Sequence, residues 1–168
     1  IQLKGNRMSS LGAKMLFSSL NLNKGLLYKI HTLDLSNNKI GKNDIDEMIN
    51  YIKDPKCNLE YLDVSSNLLG DENIKKISDV LAEFAQYRMV TVNYGNNQIS
   101  DDSIPSICNM LTQCTGLRVL ILNWNKLTNP GATQLMKKLR THSELRILDL
   151  AWNNIGNDFT VEPKYEEI

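Results

Sequence analysis

The sequence predicts an α/β solenoid, with short parallel strands along one side and helices along the other, stacked unit after unit. Three observations carry that expectation. A frame of apolar residues closing on asparagine, Leu-x-x-Leu-x-Leu-x-x-Asn-x-Leu with other apolar residues allowed at the Leu places, fits five times in full and once in part. Its asparagines fall at 6, 38, 67, 97, 125 and 153, at intervals of 32, 29, 30, 28 and 28 residues. Behind each full frame but the last comes a second apolar pattern at helical spacing. Repetition at a fixed period of this length marks a stacked array.

Taken in order, the incomplete first copy keeps Ile1, Leu3, Asn6 and Met8, followed by Ala13, Leu16 and Leu20 at helical spacing. The next frame is Ile30, Leu33, Leu35, Asn38 and Ile40, with Ile45, Met48 and Ile52 behind it. Leu59, Leu62, Val64, Asn67 and Leu69 lead into Ile74, Ile77 and Leu81, and Met89, Val92, Tyr94, Asn97 and Ile99 into Ile104, Ile107 and Leu111. The fourth full copy, Leu117, Leu120, Leu122, Asn125 and Leu127, precedes Ala132, Leu135 and Leu139, and the last is Leu145, Leu148, Leu150, Asn153 and Ile155. Alternating Leu-x-Leu puts one face of each strand into a core. Pro105 and Pro130 stand near helix starts, where a missing N–H costs nothing. No single unit can cover its own apolar faces, so the units must stack.

Frame and period together resemble the leucine-rich repeat, over nearly the whole chain. The resemblance implies a right-handed horseshoe with a parallel concave β-sheet and convex α-helices. Units of 28–30 residues with a full helix resemble the ribonuclease-inhibitor class, which implies an intracellular protein. The solenoid is expected over 1–158, with 159–168 as a C-terminal cap or tail in which Phe159, Val161 and Tyr165 could fold back over the core. The cut first strand is expected to leave its outer edge open. The ladder asparagines, Asn6 included, are expected to bond backbone groups of adjoining turns.

Composition narrows the function. The chain has 19 basic and 19 acidic side chains, split 11 against 11 and 8 against 8 at residue 84. Nucleic-acid binders usually carry a basic excess, so none is expected as partner. No run of 18 apolar residues exists, so no membrane span is expected. Three cysteines without paired spacing, no secretion pattern and no glycosylation sequon lean towards a cytoplasmic, reducing compartment. There is no nucleophile elbow, zinc-helix motif or phosphate-cradling glycine loop, so neither enzyme activity nor a cofactor is expected. His31 and His142 read as surface residues before strands. Gly70, Asp71 and Glu72 read as a turn and the acidic start of a helix.

What remains is the outward face of the strands. Its central column reads Asp34, Asp63, Asn93, Ile121, Asp149, with Tyr61 beside Asp63. Neighbouring Asp34 and Asp63 would repel by roughly 1 kcal/mol in a water-like dielectric, which a partner's basic side chain would relieve. The plainer reading makes them solvated and silent. Val119, Ile121 and Ile147 place apolar groups on the same face. Trp124 and Trp152, equivalent in adjacent units, should stack at its edge as interface anchors, or else simply shield the asparagine ladder. On the convex side Lys137, Lys138, Arg140 and Arg146 form a wet basic face or a weak site for an acidic partner. The expected function is therefore a protein-binding scaffold, monomeric, using the concave face. Relatives of the resembled family leave three alternatives: a GTPase-activating or other regulatory solenoid, the sensor region of a larger innate-immune receptor, or an actin-binding cap of the tropomodulin kind.

Overall fold

The computed structural model describes residues 1–43 and 45–156. Five three-residue strands, β1 (Thr32–Asp34), β2 (Tyr61–Asp63), β3 (Thr91–Asn93), β4 (Val119–Ile121) and β5 (Ile147–Asp149), form one parallel sheet in chain order. Register is strict, with Leu33, Leu62, Val92, Leu120 and Leu148 side by side. The first four of these are fully buried. The incomplete first copy extends the sheet by a single bridge, Gln2 to Asp34.

Between strands the chain returns through helices: α1 (Ser10–Leu22), the short α2 (Lys24–Leu27), α3 (Asp46–Lys53), α4 (Gly70–Phe84), α5 (Ile104–Gln113) and α6 (Asn129–Leu139). Crossovers of this kind are what parallel neighbours require. Proline occupies the first turn of α5 and of α6, as expected from the sequence. Gly70 opens α4 at φ +68°, a left-handed conformation that a side chain would strain. The helical positions read from spacing are the ones that pack: Ile74, Ile77, Leu81, Ile104, Ile107, Leu111 and Leu135 are all 0–1% exposed. Phe17, Tyr51 and Tyr94 join the core, the last through a hydroxyl bonded to Ser78 at 3.2 Å.

The asparagine ladder is present and explains the period. Asn125 donates to the carbonyls of Tyr94, Leu122 and Asn123 at 3.0–3.2 Å, and its Oδ1 accepts the N–H groups of Asn97 and Ile99 at 2.9 and 3.0 Å. Asn38, Asn67, Asn97 and Asn153 each donate to the strand end of the preceding unit in the same way. Asn6 departs from the expected pattern: it is exposed and reaches only the Lys4 carbonyl, at 3.4 Å. A rung needs a preceding unit to hold, and none is present for Asn6 among the described residues.

Carboxylates sew the helix side. Asp71 accepts from the Ser100 N–H and hydroxyl, both at 2.8 Å, and from the Ser103 hydroxyl. Burial alone would push its carboxyl up, but the Ser103 and Ser100 bonds outweigh that and hold it below the usual value. Asp71 was expected to serve its own helix dipole; it also joins two units. Asp101 repeats the device one unit on, accepting from Thr128. The cap expected from Phe159, Val161 and Tyr165 lies outside the described residues.

Candidate functional site

Strand alternation turns one residue in two outward, and register aligns these residues in columns across the sheet. Thr32, Tyr61, Thr91, Val119 and Ile147 form the first. Asp34, Asp63, Asn93, Ile121 and Asp149 form the second. The first column changes from polar to apolar at β4 and β5, the second is apolar only at Ile121 of β4, and Ile147 is 53% exposed.

Just past the strands, Trp124 and Trp152 stack with ring centroids 4.6 Å apart and planes 13° from parallel. They remain 55% and 70% exposed. Their backbones are the telling feature. The residue before each ladder asparagine is left-handed: Gly5, Asn37, Ser66, Asn96, Trp124 and Trp152 have φ of 72°, 53°, 56°, 53°, 55° and 58°. Glycine and asparagine suit that region. Tryptophan does not, and a bulky side chain there costs on the order of 1–2 kcal/mol. The fold asks only for a turn-forming residue at this place and receives one in four units of six. In the last two it holds a strained, exposed aromatic pair. Sequence reasoning did not find this strain, though the series Gly5, Asn37, Ser66, Asn96 is a turn signal that pointed to it.

The acidic column is more occupied than expected. Asp34, Asp63, Asn93 and Asp149 each use Oδ1 to accept the N–H two residues on, at 2.9 Å, which fixes the bend where the strand ends. Asp63 is buried, and its Oδ2 accepts from Asn93 at 2.9 Å and from the Tyr61 hydroxyl at 3.4 Å. It is therefore not the open carboxylate that alternation implied. Asp149 Oδ2 accepts from Asn123 at 3.1 Å. Asp34 is half-buried, and its Oδ2 has no hydrogen-bond partner among the described residues. Burial first, then the charges of Asp63 and Asp34, push the Tyr61 phenol above its ordinary range.

Between these columns and Trp124 lies an open groove of about 540 Å³. Trp124 and Ile121 supply its apolar side, and Asn93, Asn96, Asn123 and Asp149 its polar side. Gly95 sits in the groove, where a Cβ would lie 2.3 Å from Asn123 Oδ1, so the glycine makes room for that amide. An aromatic wall, one isoleucine and a row of amides can desolvate an inserted side chain and bond its polar end.

Elsewhere chemistry is sparse. No group of three or more His, Cys, Asp or Glu among the described residues could hold a metal. Cys57, Cys108 and Cys114 are free and buried. Burial pushes the thiols of Cys57 and Cys108 up, and that of Cys114 up to about 12. His31 is exposed, with Nδ1 2.9 Å from Glu60. His142 is not the surface residue expected: half-buried, it accepts the Leu145 N–H at 3.2 Å and faces the Cys114 carbonyl at 3.2 Å, stapling two units. Lys137, Arg140 and Arg146 are exposed and Lys138 half-buried, with Arg146 3.8 Å from Glu144.

Comparison with known proteins identifies the repeat. The family described as Leucine Rich repeat matches residues 56–78, 113–136 and 142–158, and a companion description of the same repeat matches 29–50. The ribonuclease inhibitor of Sus scrofa is 31% identical over 126 residues, covering 74% of this chain and 27% of that protein. NACHT, LRR and PYD domains-containing protein 4B of Mus musculus is 25% identical over 130 residues, 77% of this chain and 15% of the relative. Protein 5 of the same series from Bos taurus is 28% identical over 156 residues, 92% of this chain and 14% of the relative. The chain thus spans about a quarter or less of the length of these curated relatives.

Proposed function

The chain belongs to the leucine-rich-repeat family, in its ribonuclease-inhibitor-like form, and on that premise we propose that it is a protein-recognition module that takes its partner on the concave face of its last units. One observation carries this reading: Trp124 and Trp152 are held, stacked and exposed, at backbone positions where the same fold elsewhere uses glycine, asparagine or serine. Arg7, Leu68 and Gln98 share the left-handed conformation, so it is the exposed, stacked ring pair at these turns that supports a role outside the fold.

Binding would proceed by covering these rings together with Ile121, Ile147 and Val119. Removing ~100 Å² of a half-exposed tryptophan from water is worth about 2.5 kcal/mol before the entropic cost of association. The groove beside Trp124 would receive a partner side chain. Asp34 and Asp149 would favour a basic partner and speed its approach, with Tyr61 beside them. Asp63, already bonded, would act by holding Asn93 in place. A protein ligand accords with the pig relative, whose name identifies it as an inhibitor of a ribonuclease. The module is proposed to bind rather than to catalyse, as a monomer. No helix among the described residues is long and apolar enough to cross a membrane. A cytoplasmic setting is proposed from the three free cysteines.

A second reading has its own support. Several relatives are NACHT, LRR and PYD domains-containing proteins, of which this chain matches about a seventh. The same face would then be the recognition surface of a larger sensor.

Affinity capture from a cell lysate tests the proposal, comparing the natural chain with Trp124→Ala combined with Ile121→Asp. The doubly substituted chain is expected to lose at least one partner while keeping its fold by circular dichroism. An unchanged set of captured proteins would place binding elsewhere.

A further inference from the structure

The groove beside Trp124 is one-sided in charge and in hydrogen bonding. It crosses the turns that follow β2, β3 and β4 and reaches Asp149 of β5. The two outward columns of the sheet hold three carboxylates, Asp34, Asp63 and Asp149, and no lysine or arginine. No cation pairs with any of the three among the described residues. Asp149 is the one that lines the groove. Trp152 covers one face of the Trp124 ring without lining the groove, so the groove meets that ring on its remaining side.

The amides at the groove turn a donor towards the protein and leave oxygen behind. Asn93 Nδ2 donates to Asp63 at 2.9 Å, Asn96 Nδ2 to the Ser66 hydroxyl at 3.2 Å, and Asn123 Nδ2 to Asp149 at 3.1 Å. The Oδ1 atoms of Asn96 and Asn123 accept no hydrogen bond among the described residues. Asn123 also has an unpaired main-chain donor. Ser36, Ser65, Gly95 and Ala151 give their N–H groups to Oδ1 of Asp34, Asp63, Asn93 and Asp149. Ile121 stands where those acceptors stand, and the equivalent N–H of Asn123 has no partner among the described residues. In the sister turns this N–H points at the outward side chain two residues back, so that of Asn123 faces the concave surface over Ile121.

A ring, a carboxylate and two separated amide oxygens match a planar cation with several donors. Arginine has that form: five N–H groups in a fixed plane, no acceptor, and a weakly hydrated face that stacks on indole. Lysine presents a compact, strongly hydrated charge that does not lie flat on a ring. Methylated ammonium ions are held by cages of several rings, and this groove has a single aromatic wall. The free N–H of Asn123 requires an oxygen, which a guanidinium lacks and a peptide carbonyl supplies.

We infer that the groove is an arginine pocket, entered by an arginine on an extended segment of the partner. The guanidinium lies against Trp124 and donates to Asp149 and to the Asn96 and Asn123 oxygens. The arginine stem packs on Ile121, and a carbonyl beside that arginine accepts from the Asn123 N–H. This names the partner side chain for the concave reading above and rests on it.

The test titrates the isotope-labelled natural chain with the tripeptide Gly-Arg-Gly, blocked at both ends, and follows the indole N–H and Asn123 amide resonances. Lysine, citrulline and trimethyllysine versions of the same peptide are the comparisons; citrulline keeps the shape and loses the charge. The arginine peptide is expected to move the Trp124 indole and the Asn123 amide, and to bind about tenfold more tightly than the other three. Asp149→Asn removes the charge and keeps an Oδ1 for Ala151, as Asn93 does for Gly95. Trp124→Ser installs the residue that Ser66 supplies at the equivalent turn. Each variant is expected to keep its fold by circular dichroism and to weaken the arginine peptide about tenfold. Ile121→Asn supplies the missing acceptor, so the Asn123 amide should no longer move. Equal binding of the lysine or citrulline peptide, tighter binding of trimethyllysine, or no binding of the arginine peptide at millimolar concentration overturns the inference. If no arginine peptide binds while Trp124→Ala with Ile121→Asp still abolishes capture of a partner, the concave reading stands and the arginine pocket falls. If the peptide binds but every captured protein is retained, the concave reading falls and takes the inferred use of the pocket with it.

Discussion

Replacing Asn125 by alanine removes a rung while leaving both faces of the solenoid untouched. The side chain is 7% exposed and makes five hydrogen bonds, three given and two received. Of its partners, the N–H groups of Asn97 and Ile99 suffer most, because both lie inside and a backbone donor without acceptor is rarely tolerated. Each orphaned buried donor costs about 1–3 kcal/mol, and the carbonyls, with a second lone pair or another donor, cost less. The total is about 3 kcal/mol. For a chain of this size that lowers the melting temperature by roughly 6–12 °C. Asn6→Ala supplies the control, since the same consensus residue there is exposed and makes one 3.4 Å bond. Its effect is expected within about 0.5 kcal/mol. Thermal and urea unfolding followed by circular dichroism measures both. Equal losses for the two variants, or no loss at Asn125, would refute the ladder as the element that joins units.

Three further outcomes follow from the packing. Because the Asp71 carboxyl is held below its ordinary value, its contribution to stability is fully present above the unfolded value of about 3.9 and is lost as pH falls through the folded one. Urea midpoints at pH 7 and pH 3 should therefore differ more for the natural chain than for Asp71→Asn. Native Cys57, Cys108 and Cys114 should resist iodoacetamide at pH 8, since burial raises all three thiols, and should label only after unfolding; mass spectrometry decides this, and rapid native labelling would contradict it. Gly131→Ala should destabilise by about 1–3 kcal/mol, because its Cβ would meet Asp101 Oδ1 at 2.2 Å and Cγ at 2.7 Å and disturb the carboxylate that holds Thr128. A normal melting temperature there would show that Asp101 is free to move.

Much of the fold was legible because its causes are local and periodic. Leu33, Leu62, Val92 and Leu120 are buried as alternation requires, and the helical positions follow their spacing. Bonds between units were less visible. That Asp71 would meet Ser100 and Ser103, or that Asp63 would accept from Asn93, depends on register between units some thirty residues apart. Phe17 and Tyr51 escaped notice because the helical template was fitted to three places per unit, and these aromatics fill a gap between α1 and α3. At the candidate site the pattern showed which residues turn outward. It did not show that Trp124 and Trp152 adopt positive φ, a property of the turn rather than of tryptophan.

The two tryptophans are the chain's only ones, so its indole fluorescence reports the proposed concave patch alone. Acrylamide quenching of that emission, with and without a saturating amount of a captured partner, tests the central claim most directly. Binding on the concave face of the last units predicts a blue shift and quenching reduced severalfold, because both rings pass from water into the interface. Unchanged emission and unchanged quenching at saturation would contradict the assignment of Trp124 and Trp152 to the binding site.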